Sequence, residues 1–279
     1  ATESGYHANY TVDCLNQRKH VLVEKPMALS IKDADTMIEA AKTNNVKLGV
    51  CYQNRFNYPI QKLKEAMEEG RFGKLVHGTA RILWNRNDNY YEEAKWRGTL
   101  KLDGGTLMNQ CIHNIDLLQW VMDSEIDSVY AETDTFLRNI EGEDFGTIII
   151  RFKNGSVGIV EGSVCVYPKN LEETLSIFGE KGTVVIGGSS VNEVKFWRFP
   201  DTLANEKEII EKQLNCIYRN GHTYLYKEFI DAIRENREPL INGEEGKKSL
   251  EIVLGAYKSQ RLGRKVVFPI KDMDIDFIN

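Results

Sequence analysis

Apolar and polar positions follow two different periods along the chain, and the change of period divides it. Tyr6 to Lys19 carries apolar residues at helical spacing, and the β-branched run Val21 to Val23 reads as a short strand buried on both faces. Ser30 with Asp33 three residues on opens a second helix in the manner of a capping box. Its apolar face is Ala34, Met37, Ile38 and Ala41, and it fades at Asn44 and Asn45. Lys47 to Cys51 reads as the next buried strand. Helix, strand, helix, strand is the alternation of a parallel sheet, so residues 1–52 are assigned to an α/β unit.

Asn57 to Gly70 then predicts a helix ended by glycine, and Gly73 to Trp84 a strand. The polar and aromatic stretch NRNDNYYEEAKWRGTLKLDGG leads into one helix predicted over Thr106 to Met122. From Ile126 to Phe199 the period drops to two. The runs SVYAETDTF, FGTIIIRF, SVGIVEGSV, ETLSIFG, GTVVIGG and EVKFWRF are punctuated by Lys153-Asn154-Gly155 and Glu180-Lys181-Gly182. They predict one large, mostly antiparallel open sheet. Helices over Thr223 to Arg234 and Glu244 to Arg261 close the chain, so residues 53–279 read as an α+β domain appended to the α/β unit.

Composition narrows the function classes. A length of 279 residues suits two modest domains with cores of their own. The 42% hydrophobic and 28% charged content is that of a soluble globular chain, with no membrane-spanning run and no visible signal peptide. A net charge of -5, spread rather than blocked, argues against nucleic acid and anionic membrane as partners. The five cysteines are scattered without a Cys-x-x-Cys, which suggests no disulfide framework and points to a reducing cytoplasm. The dispersed histidines match no metal motif, and no metal is expected.

Two stretches carry candidate chemistry. In HVLVEKPMALS, Lys25 stands at the carboxyl end of a parallel strand, where open α/β sheets place their ligands, and Pro26 restricts its backbone. The tripeptide alone favours a surface ion pair of Glu24 with a nearby arginine, with Lys25 merely solvated. In GGTLMNQCIHNIDLLQW, a continuous helix would put Asn109, His113 and Asp116 on one polar face. A histidine with a partner that fixes its ring is suited to taking a proton near neutral pH. The alternative is a core histidine satisfied by an adjacent aspartate.

The EKP after a strand, the NRF at Asn54 to Phe56 and the GG-x-L-x-N-x-x-x-H-x-x-D run before a sheet domain together resemble the glucose-fructose oxidoreductase, inositol dehydrogenase and MocA family. The resemblance implies a Rossmann domain joined to an open-sheet domain, with NAD(P)-dependent oxidation of sugars or polyols at their junction. It implies that Lys25 and His113 are catalytic, with Asn109 beside them where many members have aspartate. Thr2, Ser4, His7, Glu24, Lys25 and Asn54 would contact the cofactor, NAD or NADP. Arg86, Trp96, Arg97 and Tyr167 would join Lys25, Asn109 and His113 around the substrate; a surface loop folded on its own aromatics accounts equally for Arg86, Trp96 and Arg97 individually. The WRGT and LMNQ segments look like members acting on nucleotide sugars, in particular UDP-N-acetyl-aminoglucuronate dehydrogenases. A homodimer or homotetramer through the sheet is also implied.

The chain departs from the family's pattern in one large respect, since no G-x-G-x-x-G occurs among its residues. ATESGYH resembles the loop after the family's fourth strand, so roughly 70 residues, about two βαβ pieces and a strand, are expected to be missing. Those glycines and their helix N-terminus hold the pyrophosphate, so this chain alone is expected to bind dinucleotide weakly or not at all and to be inactive. A non-catalytic sugar-binding or oligomerisation module is the competing reading.

Overall fold

Two short strands, β1 (Val21–Val23) and β2 (Leu48–Val50), pair in parallel with Val21 opposite Leu48. The computed structural model describes residues 2–201 and 221–270, which leaves Cys216 outside the described residues. Helix α1 (His7–Asn16) precedes β1, and α2 (Ile31–Asn44) crosses over from β1 to β2. Ser30 caps α2, its Oγ accepting from the Asp33 N–H at 3.0 Å, and Asn45 ends it in the left-handed conformation. This is the expected βαβ unit of a Rossmann-type α/β fold. One detail differs: β1 is not buried on both faces. Val21 and Leu22 are half-buried, because β1 pairs with β2 alone among the described residues.

The second unit is an eight-stranded sheet in the order β10-β4-β5-β6-β3-β7-β8-β9. Its strands are β3 (Leu75–Leu83), β4 (Ile126–Asp134), β5 (Phe145–Phe152), β6 (Val157–Ser163), β7 (Glu172–Gly179), β8 (Thr183–Gly187), β9 (Glu193–Arg198) and β10 (Val266–Val267). All neighbours are antiparallel except β3 and β6, so the expectation of a mostly antiparallel sheet is met. Val129, Ile148, Ile150, Val160, Leu175 and Ile177 are buried on one face, while Tyr130, Ile149 and Ile159 are exposed on the other.

Helix α3 (Tyr58–Glu68) precedes β3, and the short α4 (Asp88–Glu92), α5 (Thr106–Asn109) and α6 (Ile112–Met122) lie between β3 and β4. After the sheet come α7 (Gly221–Arg234) and α8 (Gly243–Leu262). The return is intimate: the Val50 N–H donates to Ile241 O at 2.9 Å, and a Cβ on Gly49 would come within 2.8 Å of the Phe229 ring. Buried residues of α8, among them Leu250, Val253 and Leu254, join those of α2, β2, α6 and β4 in a single core.

The helix expected over Thr106 to Met122 is two helices. The N–H groups of Gln110 and Cys111 both reach Thr106 O, at 2.9 and 3.0 Å, which widens the turn and breaks the register. Cys111 is seated against Gly162, and the Gln110 side chain turns away to Arg86. Asn109 therefore lies on α5, His113 and Asp116 on α6, and the three do not share one helix face.

Candidate active site

Lys25 follows β1 directly, ahead of a cis peptide bond to Pro26, and its ammonium donates to the backbone carbonyl of Asn109 at 2.9 Å. Burial pushes the Lys25 ammonium below the usual lysine range, and the charges of Glu24 and Asp103 act against that shift. The alternative of a merely solvated lysine is thereby removed. Asn109 is held at every polar group. Its Nδ2 donates to Asp103 Oδ1, its Oδ1 accepts from Gln110 Nε2 at 2.7 Å, and Gln110 Oε1 in turn accepts from Arg86 Nε at 3.0 Å.

Asn109 owes its place to the start of α5. Glu143 Oε1 accepts the Leu107 N–H at 2.7 Å and the Tyr257 hydroxyl at 3.0 Å, so a buried carboxylate sits on the helix N-terminus. Burial pushes Glu143 up to about 7. Gly105 is required there, since a Cβ would overlap the Glu143 carboxylate.

His113 opens α6, half-buried, with its ring edge-on to that of Tyr52 at 5.8 Å. The Tyr52 hydroxyl is hydrogen-bonded to Ser249 Oγ at 2.7 Å, which fixes the tyrosine. His113 Nδ1 is buried with no hydrogen-bond partner among the described residues. Burial first, then Lys25 and His222, hold His113 well below its usual range, so it is neutral at pH 7. Asp116 does not serve the histidine. It is fully buried in a two-point pair with Arg55, at 2.8 and 2.6 Å, and Arg55 also reaches Glu245 at 3.1 Å. The NRF arginine is thus the tie between the first unit's exit, α6 and α8.

The other sequence-derived candidates fall into two groups. His7 has Nδ1 2.7 Å from Pro26 O and Nε2 3.3 Å from Thr2 O, bracing the 2–7 turn against the Lys25–Pro26 corner. Gly5 N–H donates to Leu102 O at 3.0 Å, which brings the same turn, with buried Ser4, beside Asp103. Asn54 is buried in the turn after β2, and Glu24 stands beside Cys51, whose thiol burial pushes up to about 12. Arg86 lies 4.7 Å from the Trp84 ring and 5.3 Å from that of Tyr90, while Arg97 lies 4.1 Å from Tyr90 and 5.9 Å from Trp96. The loop is folded on its own aromatics, and Arg86 is joined to Asn109 through Gln110. Tyr167 is at the surface, 92% exposed. Asp103, Gln110, Tyr52 and Glu143 were not legible as site residues. The Asp-Gly-Gly at 103–105 reads in sequence as turn chemistry, and only folding of 99–109 over Lys25 buries its carboxylate.

Residues 1–52 match a family model for the NAD-binding Rossmann fold of an oxidoreductase family, and residues 60–185 match the GFO/IDH/MocA C-terminal domain. The WlbA dehydrogenase from Bordetella pertussis, solved with NADH and UDP-GlcNAcA, is similar with a TM-score of 0.91 and 37% identity, over 97% of this chain and 79% of that one. The chain belongs to the GFO/IDH/MocA family of oxidoreductases. The WlbA dehydrogenase from Chromobacterium violaceum, also in complex with NADH and UDP-GlcNAcA, is 40% identical with a TM-score of 0.91, over 98% and 77% of the two chains. Myo-inositol 2-dehydrogenase from Thermotoga maritima is 27% identical over 93% of this chain and 76% of its own. In this GFO/IDH/MocA chain, Lys25, Asn109 and His113 lie where the Rossmann-type unit meets the large sheet domain.

Proposed function

We propose that this family member oxidises a secondary hydroxyl of a nucleotide sugar of the UDP-N-acetyl-aminoglucuronate type, with NAD as cofactor. One arrangement carries the reading: a lysine just beyond β1, its ammonium on the Asn109 carbonyl of α5, and a histidine of α6 lie at the junction of the two units. The substrate class follows the UDP-GlcNAcA complexes of the two WlbA dehydrogenases, and the choice of NAD follows their NADH.

The residues present fit the nicotinamide end of such a cofactor. The 2–7 turn with Thr2, Ser4 and His7, together with Glu24, Lys25 and Asn54, would hold it, braced by the contacts from His7 to Pro26 and from Gly5 to Leu102. No G-x-G-x-x-G among the 279 residues offers the pyrophosphate its turn, so weak dinucleotide affinity belongs to this reading. When bound, the nicotinamide supplies the hydride acceptor. His113 takes the hydroxyl proton, which a neutral imidazole does at no cost in prior deprotonation. Lys25 spends one N–H on Asn109 O and directs the others at the same oxygen, stabilising the negative charge that develops there. Arg86, between Trp84 and Tyr90, offers a cation to an anionic part of the substrate.

Isothermal titration of the chain with UDP-GlcNAcA tests the substrate assignment. Saturable binding is expected, weakened about tenfold by Arg86→Ala, the loss of one exposed charge-assisted contact. Absence of heat with both UDP-GlcNAcA and UDP contradicts it.

A further inference from the structure

Asp103 is an acid buried beside the Lys25 group, on the far side of Asn109. It is 4% exposed, its Oδ2 accepts the Gly98 N–H at 2.7 Å, and its Oδ1 accepts the Asn109 side-chain amide. Asn109 is the residue whose backbone carbonyl takes the Lys25 ammonium, so the carboxylate stands one residue behind the cation. Charged and titratable groups face it from every side: Lys25 after β1, Arg97 on its own loop, Tyr91 on α4 and Glu143 before β5.

We infer that Asp103 is a positioning residue for this site: its carboxylate fixes Asn109, and through the Asn109 carbonyl the Lys25 ammonium, and adds its negative charge to that of Glu24 beside that ammonium. A buried lysine without such a charge loses its proton more easily, and a neutral amine stabilises no alkoxide. Burial pushes Asp103 up to about 6, while Gly98, Asn109, Lys25 and Arg97 oppose the shift. The inference rests on the reading of Lys25 as the ligand-facing cation.

Competitive labelling of the chain with acetic anhydride, read at Lys25 by mass spectrometry across pH, measures the coupling. In Asp103→Asn the Lys25 labelling midpoint moves down and Lys25 is acetylated severalfold faster at mildly alkaline pH, whereas in Asp103→Glu, which keeps the charge, it stays near wild type. A reciprocal measurement leaves Asp103 in place: in Lys25→Met the Asp103 midpoint, followed through the Asn109 side-chain amide resonance, moves up. An unmoved Lys25 midpoint in Asp103→Asn, equal shifts in the Asn and Glu variants, or an unmoved Asp103 midpoint in Lys25→Met overturns the inference. The outcomes separate from those of the function: coupled midpoints in a chain that does not bind UDP-GlcNAcA sustain this inference and sink the substrate reading, and the reverse result does the opposite.

Discussion

Glu173 lies in β7 with 5% of its surface exposed, and burial pushes its carboxyl up to about 7. Its folded value is above its unfolded one, so the folded chain binds the extra proton. The stability this contributes is complete below 4.5 and is lost as pH rises to about 7. Glu173→Gln does not titrate and keeps the hydrogen-bonding shape. The thermal midpoint of Glu173→Gln relative to wild type should therefore climb as pH rises across that window; midpoints that run parallel from one end to the other contradict the assignment. His113 shows the opposite response to burial, because for a base the penalised form is the protonated one. The same low-dielectric interior thus leaves an acid protonated and a base neutral.

At the scale of elements, the sheet was legible because strands such as β5 and β6 alternate buried with more exposed residues and Lys-Asn-Gly and Glu-Lys-Gly turns punctuate the run. Strand β10, only two residues long, carried no such period. The break between α5 and α6 was not legible either. No glycine or proline marks it, and its causes are tertiary: Cys111 fitting against Gly162 and Gln110 drawn to Arg86. Lys25 and His113 were found through their motifs, whereas Asp103 and Glu143 become site residues only when the fold buries their carboxylates beside α5. Gly105 is where that dependence is sharpest. Gly105→Ala should drive the Glu143 carboxylate off the α5 N-terminus, costing about 1–3 kcal/mol of stability in urea unfolding, the range for overpacking, and displacing Asn109 enough to abolish UDP-GlcNAcA binding. A variant as stable as wild type and still able to bind would contradict the role given to Glu143.

For the whole molecule, the outer face of the large sheet is mixed, with Tyr130, Ile149 and Ile159 exposed around the Arg81 ion pairs to Glu161 and Glu172. A homo-oligomer through the sheet, as the family resemblance implies, would use that face, so Ile149→Lys with Ile159→Lys should convert the sedimenting species to a monomer while leaving the circular dichroism unchanged. A wild-type chain that already sediments as a monomer at micromolar concentration contradicts it. The central claim concerns the junction of the two units, where a cation and a neutral base meet on one hydroxyl. Its most direct test is UDP-GlcNAcA-dependent NADH formation by the chain at a high concentration of NAD. The account predicts turnover that falls roughly a hundred- to ten-thousand-fold in His113→Ala with KM little changed. Turnover near wild type in His113→Ala and in Lys25→Ala alike would contradict it.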